Sequence, residues 1–141
     1  MKKFKPRWKS GFRKDVGIFC RSSSEYLYAK YLNELLFNGK ITKWDYEKEN
    51  FEFPVKHGTT QYKIDFRVWR DPWSKPEIHE VKGFLDPQSK TRIKRLKKYY
   101  PEAFERFFLI EESFIKYLRG KYSITIDVSN PTLAKKEKKH G

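Results

Sequence analysis

Cysteine is almost missing from this chain of 141 residues: Cys20 stands alone. A lone thiol forms no intrachain disulfide and no cysteine-based zinc site. Such a composition fits a reducing cytosol, and Cys20 has no base partner nearby in sequence to make it a nucleophile. Long apolar runs are missing as well. Nothing approaches the roughly 18 consecutive apolar residues of a membrane span. The basic start MKKFKPRWKSGFRK is followed by no apolar segment of the kind a secretory signal needs. No membrane attachment is therefore expected, and a cytoplasmic protein is. Internal repeats are also absent. Acids are scarce beside bases, with 18 Asp and Glu against 32 Lys and Arg, a net charge of +14 and a pI near 9.8. That excess speaks to partners more than to fold. Nucleic acid is the expected partner, because Lys and Arg release counterions from phosphate; an acidic membrane surface is the competitor.

The length fits one domain with one core. Only 38% of the residues are hydrophobic while 18% are aromatic, so Phe, Tyr and Trp must build much of that core. The expected organisation is a basic arm over 1–14, a domain over 15–130 and a basic flexible tail over 131–141. The arm holds Arg7, Arg13, Lys14 and four other lysines, with no acid. It is either solvated chain or an arm that orders on nucleic acid and stacks Phe4, Trp8 and Phe12 on bases. A helix is expected over 22–38, with Ser22 and Glu25 at capping-box spacing and Leu27, Tyr28, Tyr31, Leu32, Leu35 and Leu36 as its apolar stripe. Residues 41–55 are expected to be extended and 57–60 to turn. Residues 61–69 alternate, with Tyr62, Ile64, Phe66 and Val68 facing one way and Lys63, Asp65, Arg67 and Trp69 the other. A loop over 70–76 precedes a short strand over 77–82. A very basic helix over 88–100 ends before Pro101. A strand over 104–110, a helix to Gly120 and a strand over 122–128 follow. Mixed α/β with one central sheet is the expected class.

Asp65 and Glu80 fall on neighbouring expected strands joined by a short loop. Glu80 and Lys82 are two residues apart on one strand and share a face. Strands paired with Asp65 opposite Glu80 bring the two carboxylates within roughly 5 Å at Cβ. They then repel each other unless a cation lies between them, and a hard divalent ion such as Mg²⁺ suits oxygen ligands of this kind. Lys82 beside such a pair can orient or deprotonate a water, or hold a phosphate. Glu25, near the start of the first helix, can add a third carboxylate. These are parts suited to phosphodiester hydrolysis.

The set Glu25, Ile64-Asp65 and Glu80-Val81-Lys82, in this element order, resembles the PD-(D/E)xK, or restriction-endonuclease-like, nuclease superfamily over about residues 20–110. The resemblance implies an αβββαβ core with a central mixed sheet flanked by helices. It implies Asp65 and Glu80 as metal carboxylates, Lys82 as the catalytic lysine, Glu25 as the helix-borne acid and the Val81 carbonyl as a further metal ligand. The cofactor implied is Mg²⁺, with Mn²⁺ as a substitute. Ile64 stands where the superfamily has proline. The size, the basicity and the run RSSSEYLYAKYL are similar to small Holliday-junction resolvases of the archaeal and phage endonuclease types, and Gly83 directly after Lys82 is similar to the phage type. A homodimer acting on four-way DNA junctions follows from that resemblance.

Each of these residues also has a plainer role open to it. Glu25 can serve only as half of the capping box with Ser22. Asp65 can pair with Lys63 or Arg67 across a solvent face, and Glu80 with Lys82 as an exposed ion pair. His79 is expected to point away from Glu80 and Lys82. Lys90, Arg92, Lys94, Arg95, Lys97 and Lys98 crowd the second helix with no acid among them. They are expected to contact phosphates, flanked by Arg21, Lys63 and Arg67. Two other functions stay open: a general or sequence-specific nuclease of a phage or mobile element, and a nucleic-acid-binding protein without catalysis.

Overall fold

The computed structural model describes residues 9–122. Arg7, most of the strand expected over 122–128 and the basic tail therefore lie outside the described residues. In chain order the elements are β1 (Gly11–Arg13), β2 (Ile18–Cys20), α1 (Ser23–Phe37), β3 (Lys43–Tyr46), β4 (Asn50–Glu52), β5 (Gln61–Lys63), β6 (Phe66–Trp69), β7 (Glu77–Val81), α2 (Pro87–Tyr99), α3 (Pro101–Phe104), β8 (Phe107–Ile110) and α4 (Glu112–Tyr122). The class is mixed α/β, as expected. The described residues form two compact units, one of residues 9–34 with 114–122 and the other of residues 35–113.

In the first unit, β1 and β2 pair antiparallel, Gly11 with Cys20. The turn between them closes where the N–H groups of Val16 and Gly17 donate to the Arg13 carbonyl, with Gly17 at φ +73°, a conformation glycine adopts without penalty. Residues 11–13 of the expected arm are thus a strand. Arg13 is fully buried, over the Tyr26 ring, and donates to the Lys9 carbonyl. That corrects its expected place among the phosphate contacts, because an enclosed guanidinium cannot reach a phosphate. Lys14 is exposed.

The start of α1 carries its capping box. Ser22 Oγ accepts from the Glu25 N–H at 3.2 Å, which satisfies a donor that the helix start leaves without a partner, and Glu25 Oε1 reaches back to the Arg21 N–H, one residue before the cap, at 3.0 Å. The apolar stripe is wider than its periodicity predicts, since Tyr26 to Lys30 are all buried. Asp15 explains the polar members of that run: it accepts from the Tyr26 hydroxyl at 2.6 Å and lies 3.4 Å from Lys30 Nζ.

The second unit is built on a four-stranded sheet in the order β3-β6-β7-β8. The first two pairings are antiparallel and the last parallel. β4 and β5 form a separate antiparallel pair. The run expected to be one strand over 61–69 is therefore broken at Ile64 and Asp65. The cause lies on the facing segment. Tyr46 pairs with Phe66 and Asn50 with Lys63, so residues 47–49 oppose only residues 64–65. This is a bulge of one extra residue. Glu47 sits in it at φ +51°, and the ladder is carried across by Glu47 N–H to the Asp65 carbonyl and Ile64 N–H to the Glu49 carbonyl. The break also overturns the expected common face. Tyr62 and Ile64 join Phe51, Phe53, Ile78 and Leu96 in the core cluster. Phe66 and Val68 pair with His79 and Glu77, and so lie on the sheet face opposite Ile78.

Helix α2 begins where it is expected to. Asp86 Oδ1 accepts from the Ser89 N–H at 2.7 Å and Pro87 stands at the first helical position, the preferred chemistry for a helix start. Ser89 and Leu96 are its buried residues. Past Tyr100, Pro101 starts the short α3 rather than leading directly into a strand, so β8 begins only at Phe107. No helix among the described residues is long and apolar enough to cross a membrane.

Leu96 is the fully buried point through which α2 packs on this core. Leu96→Ala is expected to cost about 2–5 kcal/mol, seen as a lower urea midpoint with an unchanged slope.

Candidate active site

The register of β6 and β7 positions the two carboxylates. Phe66 pairs with His79, so Asp65 and Glu80 stand opposite each other one step beyond the paired residues. The backbone of residue 65 has already left the ladder at the bulge, and the Asp65 side chain takes its place: Oδ2 accepts from the Val81 N–H at 2.9 Å. Asp65 thus sits in a strand break rather than in mid-strand as expected. The break is what turns its carboxylate along the edge of β7. Val81 enters the site through its N–H.

Glu80 is 8% exposed, and its Oε1 has no hydrogen-bond partner among the described residues. Burial pushes its carboxyl pKa upward. The Tyr62 hydroxyl, the cations Lys82 and Arg92 and a hydrogen bond with Asp65 oppose that rise. Tyr62 is itself 2% exposed, and its hydroxyl makes no well-formed hydrogen bond although it lies beside Glu80. Burial, and next the Glu80 charge, push the Tyr62 phenol upward, so it stays protonated. A buried carboxylate with an uncommitted oxygen, a second carboxylate and a neutral phenol therefore meet at one end of β7. An oxygen that is buried without a partner is costly, which makes it a candidate ligand for a cation.

Lys82 follows directly. Its N–H donates to the Ile110 carbonyl at 3.1 Å, and its partly exposed ammonium acts electrostatically on both Glu80 and Asp86. Gly83 follows it, and a Cβ there would lie 2.7 Å from Glu112 Oε2, the movable end of that side chain. Arg92 reaches the same place from α2, where its charge is felt by Glu80, Tyr62 and Asp86. From the sequence, Arg92 is expected only among phosphate contacts and Tyr62 only on the apolar face of its strand. The spacing carried a signal for Arg92, which lies three residues after buried Ser89 and four before buried Leu96, on the inner face of the helix. For Tyr62 the signal was a hydroxyl at an inward position, which needs a polar neighbour.

The remaining expected residues divide. Lys63, Lys90, Lys94, Lys97 and Lys98 are exposed, as is Arg21. Arg67 is a correction. It bridges Asp45 through Nε at 3.0 Å and Nη2 at 2.6 Å, with Glu49 at 3.9 Å, so its fork is committed to the sheet. Arg95 is a second correction, since it donates to the backbone carbonyls of Thr59 and His57 and ties down the turn that precedes β5. Glu25 belongs to the first unit, where its carboxylate serves the capping box. His79 is buried and bonded to Glu77 at 2.9 Å, on the face opposite Glu80, and burial holds its imidazole pKa down. Cys20 is buried and its thiol is pushed up to about 12, chiefly by burial, which leaves it unreactive.

Among the described residues, no group of three or more His, Cys, Asp or Glu side chains is arranged to hold a metal ion. Asp65 and Glu80 form a pair, and a pair suits Mg²⁺, which keeps several waters and takes one or two carboxylates. No family model matches the chain, and no curated protein or solved structure matches it.

The raised pKa of Glu80 has a sign. A carboxyl whose folded pKa lies above its unfolded one contributes stability that is fully present below the unfolded value, roughly pH 4.3, and lost as pH rises through the folded value. Glu80→Gln removes that loss. In EDTA at pH 7 the variant is expected to melt a few degrees above the parent, and the difference should vanish near pH 4. Equal melting temperatures at pH 7 would mean that burial does not penalise this carboxylate.

Proposed function

We propose that this chain is a metal-dependent DNA endonuclease with Asp65, Glu80 and Lys82 at its centre, built on a restriction-endonuclease-like core and selective for branched DNA such as four-way junctions. One observation carries the reading: the buried, uncommitted oxygen of Glu80 stands opposite an Asp65 carboxylate that is oriented by the Val81 N–H, with Lys82 two residues on. The order of α1, three antiparallel strands, α2 and a strand parallel to the third supports the core assignment. Structure selectivity rests on the resemblance to resolvases. Symmetric cutting of two strands calls for two copies.

The residues divide the work. Asp65 and Glu80 would hold Mg²⁺, or Mn²⁺ in its place. Bound there, the ion supplies positive charge to a phosphoryl oxygen and makes a water more acidic. The Val81 N–H fixes the Asp65 carboxylate so that it needs no reorganisation. Lys82 is placed to orient the attacking water or to hold a phosphoryl oxygen as negative charge grows on it. Arg92 offsets the charge of the acid pair from the α2 side. Lys90 and Lys94, exposed on the same helix, hold flanking phosphates. Glu25 is engaged at the start of its own helix, and the proposed centre does not draw on it. The lack of a third grouped acid among the described residues favours one other reading, a DNA-binding protein without catalysis.

Incubation with a four-way junction, a matched duplex and single-stranded DNA, in Mg²⁺ and in EDTA, separates the two. The nuclease reading expects cleavage in Mg²⁺ alone and a drop of at least about a hundredfold for Asp65→Asn and for Lys82→Ala, in the range of lost transition-state stabilisation. Undiminished cutting by both variants would refute the site. Equal cutting of all three substrates would keep the nuclease and remove the junction preference. In a salt titration, Lys90→Ala with Lys94→Ala should weaken binding on every substrate and lower the slope of log K against log salt by about 2.

A further inference from the structure

The loop that leaves the Glu80 end of β7 carries a largely exposed aromatic side chain. Phe84 is 77% exposed, in a loop bounded by Lys82 on one side and by the Asp86 cap of α2 on the other. A large apolar ring is costly to hold in water, and the loop does not turn it inward. Two residues of chain span at most roughly 7 Å between Cα atoms, so the ring is carried on backbone that adjoins that of Lys82. The surroundings are cationic: Lys82 precedes it, and Lys90 and Lys94 stand exposed on the first turns of the following helix. An exposed ring beside backbone-binding cations is the combination that holds an unstacked base, because every base offers a π-face.

We infer that Phe84 stacks on an unpaired nucleobase next to the scissile phosphate, and that this contact gives the site its preference for branched or frayed DNA over intact duplex. The inference rests on the nuclease reading for its substrate, but its contact is one of binding and needs no cleavage. In a continuous duplex every base is already stacked between neighbours, so the ring gains nothing there unless it is driven between them. At a branch point or a fray the base is available at little cost.

The test uses the full chain carrying Asp65→Asn, in EDTA, so that binding is read without turnover. The probes are a perfect duplex and a four-way junction of the same sequence with 2-aminopurine at the branch point. Phe84→Ala is expected to weaken junction binding roughly tenfold, within the loss known for one stacked base, and to leave duplex binding within about twofold. Phe84→Trp is expected to restore junction affinity and to quench the 2-aminopurine fluorescence. Equal loss on both substrates, or no loss on either, would overturn the inference. So would a change in sedimentation on Phe84→Ala, which would assign the ring to contact between copies of the chain. The nuclease reading is judged separately, by cleavage with the parent chain in Mg²⁺. Should the parent fail to cut while the Phe84 discrimination holds, the catalytic reading falls and the base contact stands.

Discussion

The hydrogen bond from the Val81 N–H to Asp65 Oδ2 is the contact on which the candidate site depends. β7 is an interior strand, and its backbone donors must be satisfied on both sides. On the β8 side the ladder continues to Lys82, whose N–H meets the Ile110 carbonyl. On the β6 side the neighbouring backbone departs at the bulge, and a carboxylate substitutes for the missing carbonyl. That substitution keeps the ladder intact while delivering a negative charge to the end of the strand. A charged acceptor makes the bond stronger than the carbonyl it replaces. An asparagine at position 65 could preserve the geometry but not the charge.

Glu80 bears the energetic consequence. It points to the α2 side of the sheet, the side of Ile78 and the core cluster, where water is scarce. Burial pushes its pKa up, and the Tyr62 hydroxyl, Lys82, Arg92 and Asp65 together oppose that shift. A fold selected for stability alone would place an apolar residue here, since a buried carboxylate with an uncommitted oxygen is a poor neighbour for leucine and isoleucine. Such a perturbed carboxyl beside a second acid and two cations is the kind of arrangement that functional sites show. The helix that carries Arg92 is therefore part of the site, and the packing of Leu96 that seats this helix also sets where Arg92 stands.

The parts of this picture legible in the sequence were those with a local cause. Ser22 and Glu25 announced the start of α1, Pro101 announced the end of the basic helix α2, and the two-residue step from Glu80 to Lys82 announced a shared strand face. The sequence offered Asp65 opposite Glu80 as one pairing, and the ladder ends one step short of it, at Phe66 and His79. What the sequence hid was the break at Ile64 and Asp65, because its cause is the extra residue at 47–49 on a segment distant in sequence. An alternating pattern over 61–69 looks the same whether the strand is whole or broken, and so Tyr62 was taken with Phe66 when the two lie on different faces. Glu25 shows the opposite limit: its spacing fitted two roles, and spacing cannot rank a capping box above a metal ligand.

The net charge of +14 overstates what faces a partner. The arginines and the lysines are used differently. Arg13 is buried against Tyr26, Arg67 forks onto Asp45, Arg70 pairs with Glu77, Arg95 grips the carbonyls of the 57–60 turn, and Arg106 donates to the Pro76 carbonyl. A planar guanidinium with several fixed donors suits such bridging, though Lys30 also pairs inside the fold, with Asp15. The lysines at 90, 94, 97 and 98 remain exposed on one helix. Charge density read along the chain treats both residue types as phosphate contacts. The distinction appears only when each guanidinium is followed to its acceptors. It leaves a lysine helix, and Arg92 at its inner face, as the basic surface that adjoins the acid pair.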